Sequence, residues 1–134
     1  MKRILLLGVG RSTHTLIKYL VEYQKELNIQ IVIADQQLNS FIVPFIDQNF
    51  CSFSALDINN DQKRRDIISQ SDLVISMLPP QFHFLVAKDC IYFKKNLITA
   101  SYVSNEIQQL DNEAKKAGIL ILNEIGLDPG IDHL

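Results

Sequence analysis

Short apolar runs alternate along this chain with stretches whose apolar residues recur at helical spacing. That alternation narrows the fold more than any other feature. The runs are Arg3–Leu7, Ile29–Ala34, Cys51–Ala55, Leu73–Ser76, Asn96–Thr99 and Ile119–Leu122. They have strand length and read as continuous rather than alternating runs, as expected for strands buried on both faces of a parallel sheet. Between them, Leu16, Ile17, Leu20, Tyr23 and Leu27 form one helical stripe. A second helix over Gln37–Asn49 contains Pro44 and is expected to start late or kink. Ile67 and Ile68 close a short third helix, and Phe84, Leu85, Lys88 and Ile91 mark a fourth that follows Pro79 and Pro80. Val103, Ile107, Leu110, Ala114 and Ala117 share one face of a fifth. Ser104 suits its cap, Glu106 its first turn, Lys115 and Lys116 its last turn and Gly118 its stop. Six strands alternating with five helices predict an α/β fold, a doubly wound, mostly parallel six-stranded sheet with helices on both faces. The 134 residues fit one domain.

The strand and helix after the first run frame GVGRST, Gly8 to Thr13. This is G-x-G-x-x-G with Thr13 in the last place. Gly8 permits the tight turn, and Gly10 leaves room for a pyrophosphate to approach the backbone. The following helix N-terminus offers free N–H groups and partial positive charge. The context makes the fold Rossmann-type and the turn a dinucleotide site. Asp35 ends the second run, further along than the usual spacing of about 20 residues. A carboxylate there accepts the ribose hydroxyls of NAD and repels the 2′-phosphate of NADP. The next residue is Gln36 rather than arginine, so NAD is the expected cofactor, with NADP possible.

In an open α/β sheet, ligands sit outside the carboxyl ends of the strands. The third strand ends near Asp57 and Ile58, a place for an adenine ring. The fourth ends in SMLPP, the fifth in TASYVS and the sixth in NEIGLDPGID. Ser101, Tyr102, Glu124, Asp128, Asp132 and His133 thus gather on one rim, which reads as a substrate edge. His14 and His83 have no spaced partner, so they read as surface or packing residues, and no metal is expected. Lys63, Arg64 and Arg65 read as a solvated helix face.

A net charge of −2 gives no footprint for nucleic acid or anionic membrane. No apolar run approaches the ~18 residues of a membrane span, and Ile4–Leu7 is too short for a signal peptide's apolar region of ~7–15 residues. A cytoplasmic protein is expected. Cys51 and Cys90 lack CxxC spacing and read as buried free thiols.

Two stretches carry a family resemblance: DLVISMLPPQFHFLVAKDCI and NLITASYVSNEIQQLDNEAKKAGILILNEIGLDPGIDHL. They resemble the L-glutamate-forming (saccharopine reductase) branch of the saccharopine dehydrogenase family. The resemblance covers essentially the whole chain, with little of it in residues 36–70. It implies an N-terminal Rossmann domain and a larger α/β domain that supplies most of the substrate pocket. It also implies an oxidoreductase of lysine metabolism, acting on a small amino-acid substrate with NAD or NADP. Hydride would pass between the nicotinamide and the carbon of a secondary amine, through an imine that water hydrolyses.

Carried onto this sequence, Val9, Gly10, Arg11, Ser12 and Thr13 hold the pyrophosphate, while Asp35 and Asn39 take the adenosine ribose. Leu78 and Ala100 line the cofactor. Ser101 and Tyr102 face cofactor and saccharopine. Leu127, Asp128 and Pro129 approach the nicotinamide, with Asp128 also touching substrate. Tyr102 and Asp128 are the candidates for proton handling or substrate orientation. The resemblance makes residues 1–134 the NAD(P)-binding domain without its substrate domain, expected to bind cofactor but to turn over little by itself. Its bare apolar faces would favour self-association, as in a homodimer. Two other readings stay open: a relative acting on another amino-acid imine, such as carboxynorspermidine, and a stand-alone dinucleotide-binding module without catalysis.

Overall fold

The computed structural model describes residues 2–9, 13–38, 40–46, 49–99 and 110–122. Its first strand, β1 (Lys2–Leu7), leads through the glycine turn into α1 (Thr13–Glu22). A short α2 (Gln24–Leu27) follows a break at Tyr23, so the first helical stripe is shared by two helices. Asn28, left-handed at φ 53°, ends α2 and opens β2 (Ile29–Asp35). The expected helix over Gln37–Asn49 is reduced to a 3-10 turn (Ser40–Ile42) and one turn of α3 (Val43–Ile46), in which Pro44 takes the second helical position. Proline is tolerated there because that N–H has no helical acceptor. The chain continues through β3 (Cys51–Ala55), α4 (Asp61–Ser69), β4 (Leu73–Ser76), a 3-10 turn (Pro80–Phe82) and α5 (His83–Phe93). It then forms β5 (Asn96–Thr99), α6 (Asp111–Ala117) and β6 (Ile121–Leu122). Of the fifth expected helix, Val103, Ser104, Glu106 and Ile107 lie outside the described residues. Its end does appear: Gly118 caps α6 at φ 78°, with Lys115 and Lys116 in the last turn.

The strands pair in the order β3-β2-β1-β4-β5-β6, and every pairing is parallel. Successive side chains of a strand point to opposite faces, and β1 sorts its residues accordingly. Ile4 and Leu6 enter a core built with Ile17 and Leu20 of α1 and Ile31 and Ile33 of β2. Leu5 and Leu7 enter the other core, with Ile68 of α4, Val86 and Cys90 of α5 and Ala114 of α6. The expected doubly wound sheet, with helices on both faces, is therefore present. No helix among the described residues is long and apolar enough to cross a membrane.

Two local expectations are corrected. At the edge of the sheet, β3 is covered less fully than the inner strands: Cys51 is buried, Phe53 and Ser54 are half-buried, and Ser52 and Ala55 are exposed. An edge strand has a neighbour on one side only, so less of it is covered than of a central strand. The Lys63–Arg65 run is not a uniformly solvated face. Arg64 is only 1% exposed, with its guanidinium held by Asp89 and Asp61, because its helical position turns it toward α5.

Cys51 and Cys90 are buried and free, as expected. Burial pushes the Cys51 thiol up to about 11 from its ordinary 9.0. Burial, followed by the nearby Asp89 charge, pushes Cys90 further in the same direction. The folded state therefore keeps protons that the unfolded chain gives up. These thiols contribute stability that is complete below about pH 8.5, the range where an unfolded cysteine is still protonated, and that falls as the pH rises. In alkylation at pH 8, both cysteines should stay unmodified until urea unfolds the chain. Modification of either at the rate of a free thiol in the folded state would contradict this burial.

Candidate functional site

The sheet order reverses between β1 and β4: β2 follows β1 on one side, and the chain returns to place β4 on the other. A crevice opens outside the carboxyl ends of strands at such a switch point. Three segments meet there. From β1 comes Gly8, whose N–H donates to the Ala34 carbonyl at 2.9 Å. From β4 comes the SMLPP loop, whose Met77 N–H donates to the Leu7 carbonyl at 2.7 Å. From β2 comes Asp35.

Gly8 adopts φ +85°, a backbone region that favours glycine. A Cβ placed there would stand 3.0 Å from Leu78 Cδ2, 3.1 Å from the Leu78 nitrogen and 3.2 Å from the Met77 carbonyl carbon. Glycine is thus needed twice, for the turn and for the close approach of the β4 loop.

Asp35 binds the backbone with both carboxylate oxygens. Oδ2 accepts the Val9 N–H at 2.8 Å, and Oδ1 accepts the Gln36 N–H at 2.7 Å. The Asp35 carbonyl accepts the Leu56 N–H at 2.9 Å, which ties the end of β3 to the same point. An ionised carboxylate has about four acceptor positions, so roughly two remain for ligand hydroxyls. The side chain is half-buried, with one edge toward the crevice.

Two adjoining hollows share Asp35, Leu78 and Pro79. One, about 330 Å³, is lined mostly by apolar groups that include Leu56, Ile58, Leu78, Pro79 and Phe82. The other, about 410 Å³, runs over Gly8, Val9 and Met77. Their linings suit an apolar ring beside Asp35 and a more polar group beside Gly8 and Val9. A further groove, lined by Arg3, Ser54, Lys63 and Gln70 among others, lies between α4 and the sheet face rather than at the strand ends.

Of the expected cofactor residues, the structure brings together Gly8, Val9, Asp35 and Leu78. Thr13 starts α1 and is fully buried, consistent with a packing role at the third glycine position. Gly10, Arg11, Ser12, Asn39, Ala100, Ser101, Tyr102, Leu127, Asp128 and Pro129 lie outside the described residues. Ile58, expected near an adenine ring, does line the apolar hollow. Phe82 and Leu56 join it without having been singled out. Their signal was positional, since each stands just past a strand end or in the turn that follows one.

His83 is buried, the packing alternative of its sequence reading. It sits at the start of α5, with a hydrogen bond to the Leu78 backbone. Burial lowers its pKa, and that hydrogen bond works in the opposite direction. His14 is exposed and packs on Phe45 at a ring separation of 5.8 Å.

Alanine substitutions at two glycines separate turn strain from crowding. Gly118 has a similar φ of +78° but open space where its Cβ would go. Gly118→Ala is expected to cost about 1–2 kcal/mol for the left-handed backbone alone. Gly8→Ala should cost a further ~1–3 kcal/mol from overpacking. Urea midpoints measure both, and equal losses would show that the β4 loop yields freely.

Comparison with known proteins agrees with this geometry. The family model "Saccharopine dehydrogenase NADP binding domain" matches residues 4–122. A saccharopine dehydrogenase [NADP(+), L-glutamate-forming] from Pyricularia oryzae is 39% identical over 99% of this chain and 29% of its own. The mitochondrial alpha-aminoadipic semialdehyde synthase of Bos taurus is 35% identical over 99% of this chain and 14% of its own. The solved apo saccharopine dehydrogenase (L-Glu forming) from Saccharomyces cerevisiae superposes with a TM-score of 0.85 at 34% identity, covering 99% of this chain and 29% of that one. The chain thus spans under a third of the length of these relatives. With the glycine turn, the switch-point crevice and the family match in agreement, the chain belongs to the saccharopine dehydrogenase NADP-binding domain family.

Proposed function

We propose that this chain is the cofactor-binding domain of an oxidoreductase of lysine metabolism that transfers hydride between a nicotinamide dinucleotide and the carbon of a secondary amine in saccharopine. The observation that carries the reading is the crevice formed by Gly8, Leu78 and Asp35. It pairs an apolar hollow of base size with a carboxylate and a glycine turn at the switch point. The named activity of the fungal relatives supports the substrate.

In this arrangement the adenine lies between Ile58 and the Pro79–Phe82 side of the hollow. The ribose hydroxyls donate to Asp35, and the pyrophosphate crosses the glycine turn toward the N-terminus of α1. A bound dinucleotide would supply the hydride chemistry, as donor when reduced and acceptor when oxidised. The described residues would hold its adenosine half, which fixes where the rest of the dinucleotide can reach. Leu127, Asp128 and Pro129 are assigned to the nicotinamide end, Ser101 and Tyr102 to the substrate edge, and Tyr102 and Asp128 to proton handling. These assignments rest on the TASYVS and GLDPGID motifs. If Asp128 belongs to the cofactor site, Asp128→Asn weakens NADH binding, and an unchanged affinity removes it from that site.

Within this reading the favoured cofactor is NAD. The relatives' names carry NADP(+), which points the other way. Support for NAD comes from Asp35, a carboxylate fixed by two backbone N–H groups where a 2′-phosphate would arrive. Among the described residues lining the two hollows there is no lysine or arginine to neutralise that phosphate. Fluorescence titration should show NADH binding at least about tenfold tighter than NADPH, the scale of one well-placed charge interaction. Asp35→Asn keeps an acceptor and removes the charge, so it should narrow the gap. Tighter NADPH than NADH in the unaltered chain would sink the preference, and binding of neither would sink the cofactor site.

A further inference from the structure

Arg64 has no part in the cofactor contacts above, yet it is the largest fully buried side chain among the described residues. Its guanidinium has three partners. Nε donates to Asp89 Oδ2 at 2.5 Å, and Nη1 donates to the Ile58 carbonyl at 2.8 Å and pairs with Asp61 Oδ1 at 2.8 Å. The other Asp89 oxygen accepts from Arg65 Nε at 3.3 Å. Asp89 is itself 4% exposed.

Burying such a pair is costly, and an apolar pair of similar volume often serves stability equally well or better. What an apolar pair cannot do is grip a particular carbonyl. The Ile58 carbonyl belongs to the loop between β3 and α4, and the Ile58 side chain lines the base-sized hollow. Asp89 lies on α5, about two helical turns beyond Phe82. Phe82, Pro79 and Leu78 form the facing side of that hollow. Arg64 therefore connects the two sides of the slot, one by direct contact and the other through α5. Only a planar guanidinium presents donors in these several directions at once, whereas a lysine ammonium acts as a point charge on a flexible stem.

We propose that Arg64, paired with Asp89, is a positioning residue that sets the width of the adenine slot and so makes the domain selective for a purine nucleotide. The proposal rests on the cofactor reading above. The same ion pair has a plain structural role in joining α4 to α5, so the test must separate slot geometry from folding.

Two ligands that share a ribose and a pyrophosphate and differ in the base serve this purpose: ADP-ribose and UDP-ribose. A change in the folded fraction moves both apparent affinities by the same factor, whereas a change in slot width alters their ratio. The unaltered chain should prefer ADP-ribose. Arg64→Lys keeps the charge but loses the fork, and the double variant Arg64→Met with Asp89→Leu removes both charges without stranding either. In both variants the preference should fall by about tenfold, the scale on which a small misfit in an apolar pocket alters selectivity, while UDP-ribose affinity is retained.

An unchanged preference in a folded variant overturns the proposal. Failure of both variants to fold overturns it as well, since the pair would then be a folding element. Arg64→Lys decides the matter if only the double variant fails to fold. Absence of any adenine preference in the unaltered chain would instead refute the underlying cofactor reading.

Discussion

Both hydrophobic cores of this domain are built against a single strand, and every other element takes its place from that arrangement. Leu5 and Leu6, neighbours in β1, have no measurable exposure and point into opposite cores. Complete burial of such side chains is worth roughly 1.5–3 kcal/mol each. A strand covered on both sides needs helices above and below, and a parallel sheet needs crossovers that supply them. The central position of β1, between β2 and β4, also places the switch point at its carboxyl end. Packing demand and ligand site therefore share one origin.

The site is built from the termini of these strands rather than from an added loop. The Leu7 carbonyl holds Met77, Gly8 lets the β4 loop approach, and Asp35 ties β2 to the turn through Val9. The same carboxylate thus also fixes Val9 where the turn begins. Pre-ordering of this kind reduces the entropy lost when a ligand binds. His83 adds a second support beneath the rim through the Leu78 backbone.

Buried charge follows a different logic from buried apolar surface. Arg64 and Asp89 join two helices on one face of the sheet, where leucine and isoleucine would fill space equally well. The ion pair adds direction, because each hydrogen bond fixes an angle as well as a distance. That direction is given to the Ile58 carbonyl, whose residue lines the apolar hollow.

The alternation of apolar runs, the glycine turn and the acid after the second strand were readable in the sequence, because each depends on neighbours close along the chain. Continuous apolar runs required a sheet covered on both faces, and Gly8 with Asp35 marked the crevice. The partial exposure of β3 depended on its lying at the edge of the sheet, which no local pattern declares. The burial of Arg64 depended on α5, 25 residues further on, meeting α4 in space. Whether His83 lay on the surface or packed inside stayed open in the sequence, because its partner is the backbone of Leu78, and backbone partners leave no mark there. The sequence by itself determined the kinds of elements and their order, since periodicity and turn chemistry are local. Only the tertiary structure decided which polar groups became buried and which residues closed the base slot, since both depend on how distant segments pack.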